Sequence, residues 1–268
     1  WTVVIAGIIL TIFVAFVIIG GLQRISAVAQ VVVPFMAAAY IIAAVLILIL
    51  NYKAIPGAVV EIVQSAFGMR AVAGGALGAM MLAMQKGIAR GIFSNEAGIG
   101  SAPIAAAAVQ TTEPVRQGLV SMLGTVIDTI IICTMTGLSI VITGSWDKGL
   151  EGVAVTTRAF QVGLPFPAKV SAFILMLCLV FFAFTTILGW DYYSERCLDY
   201  LTGNNKKVVR AYRWIYIACV FIGPYMTVSA VWTIADIVNG LMAIPNLIAL
   251  LALNGVVVAE TKKYFKKF

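Results

Sequence analysis

The feature that most constrains this chain is a succession of apolar runs, each close to the length of a bilayer. Stretches near 1–20, 31–50, 117–142, 167–191, 211–229 and 231–253 hold few or no charges, and about 20 apolar residues in a helix cross the hydrocarbon core. A peptide group in hydrocarbon has no water to bond, so runs of this length are predicted to be helices. Composition agrees. The chain is 62% hydrophobic and 11% charged, against roughly 45–50% and 25% in a soluble domain. The expectation is an all-α membrane protein with about seven spans.

Two absences exclude much chemistry. The chain contains no histidine, which removes imidazole as metal ligand, general base or activator of a nucleophile. Cys133, Cys178, Cys197 and Cys219 are far apart and mostly within apolar runs, without zinc-ligand spacing or a disulfide framework. No nucleophile and base stand in a recognisable enzymatic pattern, so the chain is not read as an enzyme; a channel subunit stays open at this point. The net charge of +7 comes from basic residues in short loops flanking apolar runs, which argues against a nucleic-acid partner.

Those basic residues predict orientation, because Lys and Arg near span ends stay cytoplasmic. Lys206, Lys207, Arg210 and Arg213 cluster in one loop, and Lys262, Lys263, Lys266 and Lys267 at the end. Both clusters fall on one side if 211–229 and 231–253 form a hairpin. Arg24, Arg116 and Arg196 join them, leaving Lys53, Arg70, Lys86, Arg90, Lys148, Arg158 and Lys169 on the other side. The C-terminus is expected to be cytoplasmic and Trp1 to begin outside. A chain that starts at the edge of an apolar helix, without a leader, is expected to be a piece preceded by an odd number of spans.

Residues 57–109 differ from the rest. They are crowded with Gly and Ala and interrupted by Lys86, Arg90, Ser94, Asn95 and Glu96, a pattern predicting a surface helix followed by one broken membrane helix. Consecutive polar residues at membrane depth are costly unless they line a cavity or a protein interior. Gly91, Gly98 and Gly100 weaken the helix, and Pro103 suits a first turn or a kink. If the helix breaks at Phe93 to Asn95, then Ser94 or Asn95 caps the second half and Glu96 falls in its first turn. Free N–H groups there suit an anionic group such as a substrate carboxylate. Gly98, Ala102 and Ala106 at four-residue spacing form a face that another helix can approach closely.

The string Arg90-Gly-Ile-Phe-Ser-Asn-Glu-Ala-Gly-Ile-Gly-Ser-Ala-Pro-Ile-Ala-Ala-Ala-Ala108 resembles the signature of the alanine or glycine:cation symporters, the sodium:alanine symporter family. The resemblance continues through Thr111-Thr-Glu-Pro-Val-Arg-Gln117 and Gly189-Trp-Asp-Tyr-Tyr193. It implies a leucine-transporter-like fold of two inverted five-helix repeats with broken first and sixth helices meeting at the membrane centre. The chain would then hold helices four to ten. Residues 1–70 would end the first repeat, 71–255 would form the second, and 256–268 would be a basic cytoplasmic tail. The broken first helix, which supplies half of the substrate and sodium sites in such transporters, would lie outside this sequence.

The resemblance also implies a site. Phe93, Ser94 and Asn95 would face a small neutral amino acid, alanine or glycine, with Phe93 covering it from outside and Trp190 limiting its size. Thr185 and Thr186 would offer oxygen ligands to sodium, and Asp128 would join a sodium site beside Ser94. Read by themselves, adjacent threonines in a membrane helix often bond their own i−4 carbonyls. Counting along a span that starts near Lys169 also puts this pair nearer the inner face than the centre, so a long, tilted helix is required. Asp236 and Asn239, three apart, are read as bonding to neighbouring helices. Lys53, Glu61, Arg70, Lys86 and Arg90 are read as an interfacial helix. The implied activity is sodium-coupled symport by alternating access in a cell membrane, with no cofactor and sodium as the coupling ion. A proton-driven carrier titrating Glu96 or Asp128 is the alternative.

Overall fold

A computed structural model describes residues 2–66 and 76–267, and among them all regular structure is helical. The helices are α1 (Thr2–Ile19), α2 (Leu22–Leu50), α3 (Ile55–Ala66), α4 (Ala76–Asn95), α5 (Ala102–Ala106), α6 (Pro114–Thr125), α7 (Thr134–Ile142), α8 (Val153–Gly163), α9 (Ala168–Thr202), α10 (Lys206–Ile222) and α11 (Val228–Phe265). A π-helical stretch, Val126–Cys133, joins α6 to α7.

Among the described residues four segments are long and apolar enough to cross a membrane: Gln23–Leu50, Pro114–Ile142, Ala168–Thr202 and Val228–Phe265. That is fewer than the expected seven. Val3–Ile19 is apolar but shorter, and α10 spends its first turns on Lys206, Lys207, Arg210 and Arg213. The remaining expected span is the interrupted one, α4 to α5. Arg70 lies outside the described residues.

The long helices also outrun their apolar cores. With 35 residues, α9 is about 52 Å long at 1.5 Å per residue, and Thr185 stands at its midpoint. The expected span of 167–191 stops short of Glu195, Arg196 and Asp199. In the structure they continue the helix, which ends at Gly203 (φ +62°). There Asn204 N–H donates to the Asp199 carbonyl at 2.8 Å. Only a residue tolerant of positive φ closes a helix in this way.

The chain divides into two compact units, Trp1–Ile47 with Gly152–Val231, and Leu48–Glu151 with Trp232–Phe268. In the first, α1, α9 and α10 pack together and α8 lies along α9. Val14, Val17, Ile18, Ile25 and Leu188 form its buried centre. The C-terminal carbonyls of α1 are met by a cation, as the helix dipole favours: Arg24 donates to the Phe16 carbonyl at 2.8 Å. Phe160 of α8, 1% exposed, stacks on Tyr40 with ring centres 5.5 Å apart.

In the second unit α3 packs on α7, and α4 packs on the π stretch. No residue of α11 is buried, although its sequence is apolar on every side, which is the arrangement expected where lipid is the solvent. Its far end is tied back. Lys267 Nζ donates to Glu113 Oε1 at 2.6 Å.

Two outcomes follow from these contacts. Phe160→Ala is expected to cost about 3–5 kcal/mol by leaving a cavity, read as a lowered thermal midpoint of the full-length protein in detergent. The Lys267 hydrogen bond and charge hold the Glu113 carboxyl below the usual carboxylate range, while Glu113 pushes Lys267 up. The tie is therefore fully present at neutral pH. It is lost as pH falls through the depressed Glu113 value or rises through the raised Lys267 value. Amide exchange of residues 262–267 is expected to accelerate on acidification below the carboxylate range, and to be fast and insensitive to pH over that range in Glu113→Gln, apart from intrinsic exchange chemistry.

Candidate functional site

The interrupted helix breaks later than its sequence suggests. α4 runs through Phe93, Ser94 and Asn95 without a break, and the interruption covers Glu96 to Ser101. Glu96 has a φ of +56°, Gly98 of +85° and Gly100 of +91°, so three of these residues sit in the left-handed region that ends a right-handed helix. Neither Ser94 nor Asn95 caps the second half, and Glu96 is not in its first turn. α5 is a single short turn of helix with Ser101 before it. The three polar residues instead brace the break and reach the next helix.

Asn95 Oδ1 accepts from Ala97 N–H at 2.9 Å, Ser101 Oγ donates to Glu96 Oε2 at 2.7 Å, and Asn246 Nδ2 of α11 donates to the Gly98 carbonyl at 3.0 Å. Ser101 and Ile99 are buried. Each bond occupies a group that an unbroken helix would have satisfied internally or kept out of the way.

The outward side of the same turn meets the π stretch. Ser94 Oγ lies 2.9 and 2.8 Å from the two carboxylate oxygens of Asp128 and donates its proton between them. Asn95 Nδ2 donates to Thr129 Oγ1 at 3.0 Å. Asp128 and Thr129 are both in Val126–Cys133, where the helix is widened by i→i+5 bonding, a distortion frequent at functional sites. Thr134 Oγ1 turns back to the Thr129 carbonyl at 3.4 Å. A carboxylate, two hydroxyls and an amide are thus gathered on two distorted helical segments. Such oxygens suit a hard cation. Among the described residues no group of three or more His, Cys, Asp or Glu could hold a metal ion, and a cation placed here would need hydroxyl and carbonyl oxygens beside Asp128.

One turn earlier, α4 faces α11. Arg90 Nη2 donates to both oxygens of Asp236, to Oδ2 at 2.6 Å. The guanidinium lies 3.8 Å from the centre of the Trp232 ring, and Phe93 meets that ring edge-on at 5.0 Å. Arg90, Phe93 and Ser94 share a face because residues three and four apart are helical neighbours, as are Trp232 and Asp236. Arg90, for which the sequence suggested no partner, is thus a member of this cluster.

The other expected residues belong to the first unit. Thr185 Oγ1 donates to the Phe181 carbonyl at 2.9 Å and approaches Met36 Sδ at 3.6 Å, the i−4 bonding common to threonines in membrane helices. Thr186 is exposed and Trp190 half-buried, the latter edge-on to Tyr193 at 5.7 Å. Next to Trp190, Asp191 is buried with Glu195 one turn further on, and Glu195 is gripped by Arg213 of α10 through two hydrogen bonds, one of 2.8 Å, a pairing that sequence reasoning did not find. Glu195 and Arg213 are equidistant in sequence from Asn204 at the α9–α10 turn, a hairpin signal that was available. Trp232 and Asp236 at i, i+4 were a second such signal. The π stretch left none.

The helical architecture and the polar clusters on broken and widened helices describe a membrane transporter. The sequence profile of the sodium:alanine symporter family matches residues 1–268, and the chain belongs to that family. It is 52% identical over 267 residues to a Haemophilus influenzae protein described as an uncharacterized transporter, covering 99% of this chain and 58% of that protein. It is 46% identical over 264 residues to the sodium/alanine symporter AgcS of Methanococcus maripaludis, covering 97% of this chain and 56% of the relative. It is 37% identical over 266 residues to the amino-acid carrier protein AlsT of Bacillus subtilis, covering 98% and 55%. The chain therefore spans a little over half the length of these relatives.

Gly100 provides a test of the break. A Cβ there would meet Asn246 Cβ at 3.2 Å, and its φ is one that side chains rarely adopt. Gly100→Ala is expected to destabilise the full-length protein by roughly 1–3 kcal/mol. Gly87→Ala, where a Cβ meets nothing within 4 Å, is expected to be neutral or to stabilise by up to about 1 kcal/mol. Thermal unfolding of the two variants compares them directly.

Proposed function

We propose that the protein containing this chain is a secondary active symporter that couples sodium movement to uptake of a small neutral amino acid, alanine or glycine. The observation that carries the reading is the meeting of Ser94 and Asn95, at the end of the interrupted helix, with Asp128 and Thr129 on the π stretch. Family membership and the sodium/alanine symporter among its relatives support it.

In this reading Thr185 and Thr186 supply oxygens to one sodium, and Asp128 to a sodium site beside Ser94. Phe93, Ser94, Asn95 and Trp190 contact the amino acid. The Ser94 hydroxyl that donates to Asp128 can rotate and offer its lone pairs to a cation, at no cost in backbone movement. Arg90 and Asp236 act as a latch beside the substrate, held over Trp232. The fold is the leucine-transporter-like inverted repeat, with residues 1–70 closing the first repeat, 71–255 forming the second, and 256–268 a tail on the cytoplasmic side of a cell membrane. Alternating access then moves one set of helices against another around a site near the midplane.

Alanine uptake into liposomes holding the full-length protein tests the proposal. Uptake is expected to require an inward sodium gradient and to vanish when choline replaces sodium; equal uptake in choline would overturn it. Asp128→Asn is expected to raise the sodium concentration for half-maximal uptake about tenfold or more, about 1.4 kcal/mol of lost sodium binding, while Lys148→Gln leaves it unchanged.

A further inference from the structure

We infer that Asp191 is a proton-binding site, its carboxyl carrying the proton while α9 and α10 are packed as they are here. Asp191 is 0% exposed, and among the described residues neither of its carboxyl oxygens has a hydrogen-bond partner. An ionised carboxylate removed from water and left without donors is among the most costly groups a protein can bury. The neutral acid avoids most of that cost.

The surroundings account for the missing donors. Glu195, one turn further along the same face of α9, takes Arg213 Nε and Nη2. Tyr216 and Tyr212 of α10 are within electrostatic reach of Asp191, but Tyr216 spends its hydroxyl on the Ile187 carbonyl at 2.8 Å, and Tyr212 is bonded to Ser194. Ser194 in turn donates to the Trp190 carbonyl at 2.8 Å. Cys219 stands near both tyrosines.

The other elements against α9 add no charge at this point. α1 contains no titratable side chain. α8 brings Arg158, which is exposed. From α2, Arg24 is bound to the Phe16 carbonyl, and Tyr40 is stacked on Phe160. Two acids therefore face one base. With both acids ionised the cluster carries a net negative charge inside a packed helical interface, and one proton on Asp191 makes it neutral. The step is simple in chemistry: with the contact open the carboxylate takes a proton from hydronium and releases water, it keeps the proton while the helices are packed, and it returns it to water as hydronium when the contact opens again. This inference is separate from the sodium reading, since it concerns a different ion.

Infrared difference spectroscopy of the full-length protein, which needs no transport activity, decides the matter. The carbonyl band of a neutral carboxylic acid is expected at neutral pH, to be absent in Asp191→Asn, and to be displaced rather than lost in Asp191→Glu. Glu113→Gln is expected to leave it untouched. A spectrum that keeps this band unchanged in both Asp191 variants overturns the proposal. So does a sodium-induced shift in a carboxylate band that disappears in Asp191→Asn, since the group would then be charged and hold a cation. Should the asparagine variant fail to fold, the displaced band in the glutamate variant still supports the proposal, and its persistence at the original position refutes it.

Discussion

A peptide group left without a hydrogen bond in hydrocarbon costs several kcal/mol, and this constraint decides where the chain stays helical and where it departs from a helix. Between Glu96 and Ser101 the departure is supported by side chains placed for it: Asn95 takes Ala97 N–H, and Asn246 reaches across from α11 to the Gly98 carbonyl. The π stretch is supported from the same chain by Thr134. Polar residues that look expensive in an apolar sequence are thus what makes the two distortions possible. The distortions in turn point Ser94 and Asn95 at Asp128 and Thr129.

The same economy governs charge. Two pairs join helices: Arg213 meets Glu195 through two nitrogens, the geometry in which a guanidinium matches a carboxylate best, and Arg90 reaches both oxygens of Asp236 from one nitrogen. A pair of this kind contributes little net stability, but removing Arg213 strands the buried Glu195, and each pair opposes slippage of its two helices. Asp191 departs from the pattern, being buried beside a pair without belonging to it.

Much of the architecture was legible. Apolar runs marked the long helices, and the polar interruption at 94–96 marked the broken one, because length and hydropathy are local properties. Boundaries were less so. α9 continues through Glu195 and Asp199 since Arg213 and the Gly203 turn stabilise that end, and neither effect resides in the residues concerned. The break falls at 96–101 rather than 93–95 because Glu96, Gly98 and Gly100 adopt positive φ, while Ser94 and Asn95, good capping residues by composition, are drawn to the π stretch instead. Nothing in Val-Ile-Asp-Thr-Ile-Ile-Ile-Cys advertises i→i+5 bonding. The partners of Arg90 were not legible at all, since Asp236 and Trp232 lie about 140 residues away.

A coupled transporter needs an ion to favour one arrangement of its helices over another, and only differential contacts achieve that. The Ser94–Asp128 bond is suited to such a role because its two members change character together. Without a cation, the hydroxyl proton neutralises part of the carboxylate's demand for donors and holds the end of α4 against the π stretch. With a cation between them, the hydroxyl turns away its proton and both groups become ligands, so the same two helices are joined by an ion. In the proposed symport, sodium would thus replace a hydrogen bond where the interrupted helix and the widened helix touch through polar groups, and Asn95, bonded to Thr129 on one side and to the broken backbone on the other, would carry the change to the turn at 96–101.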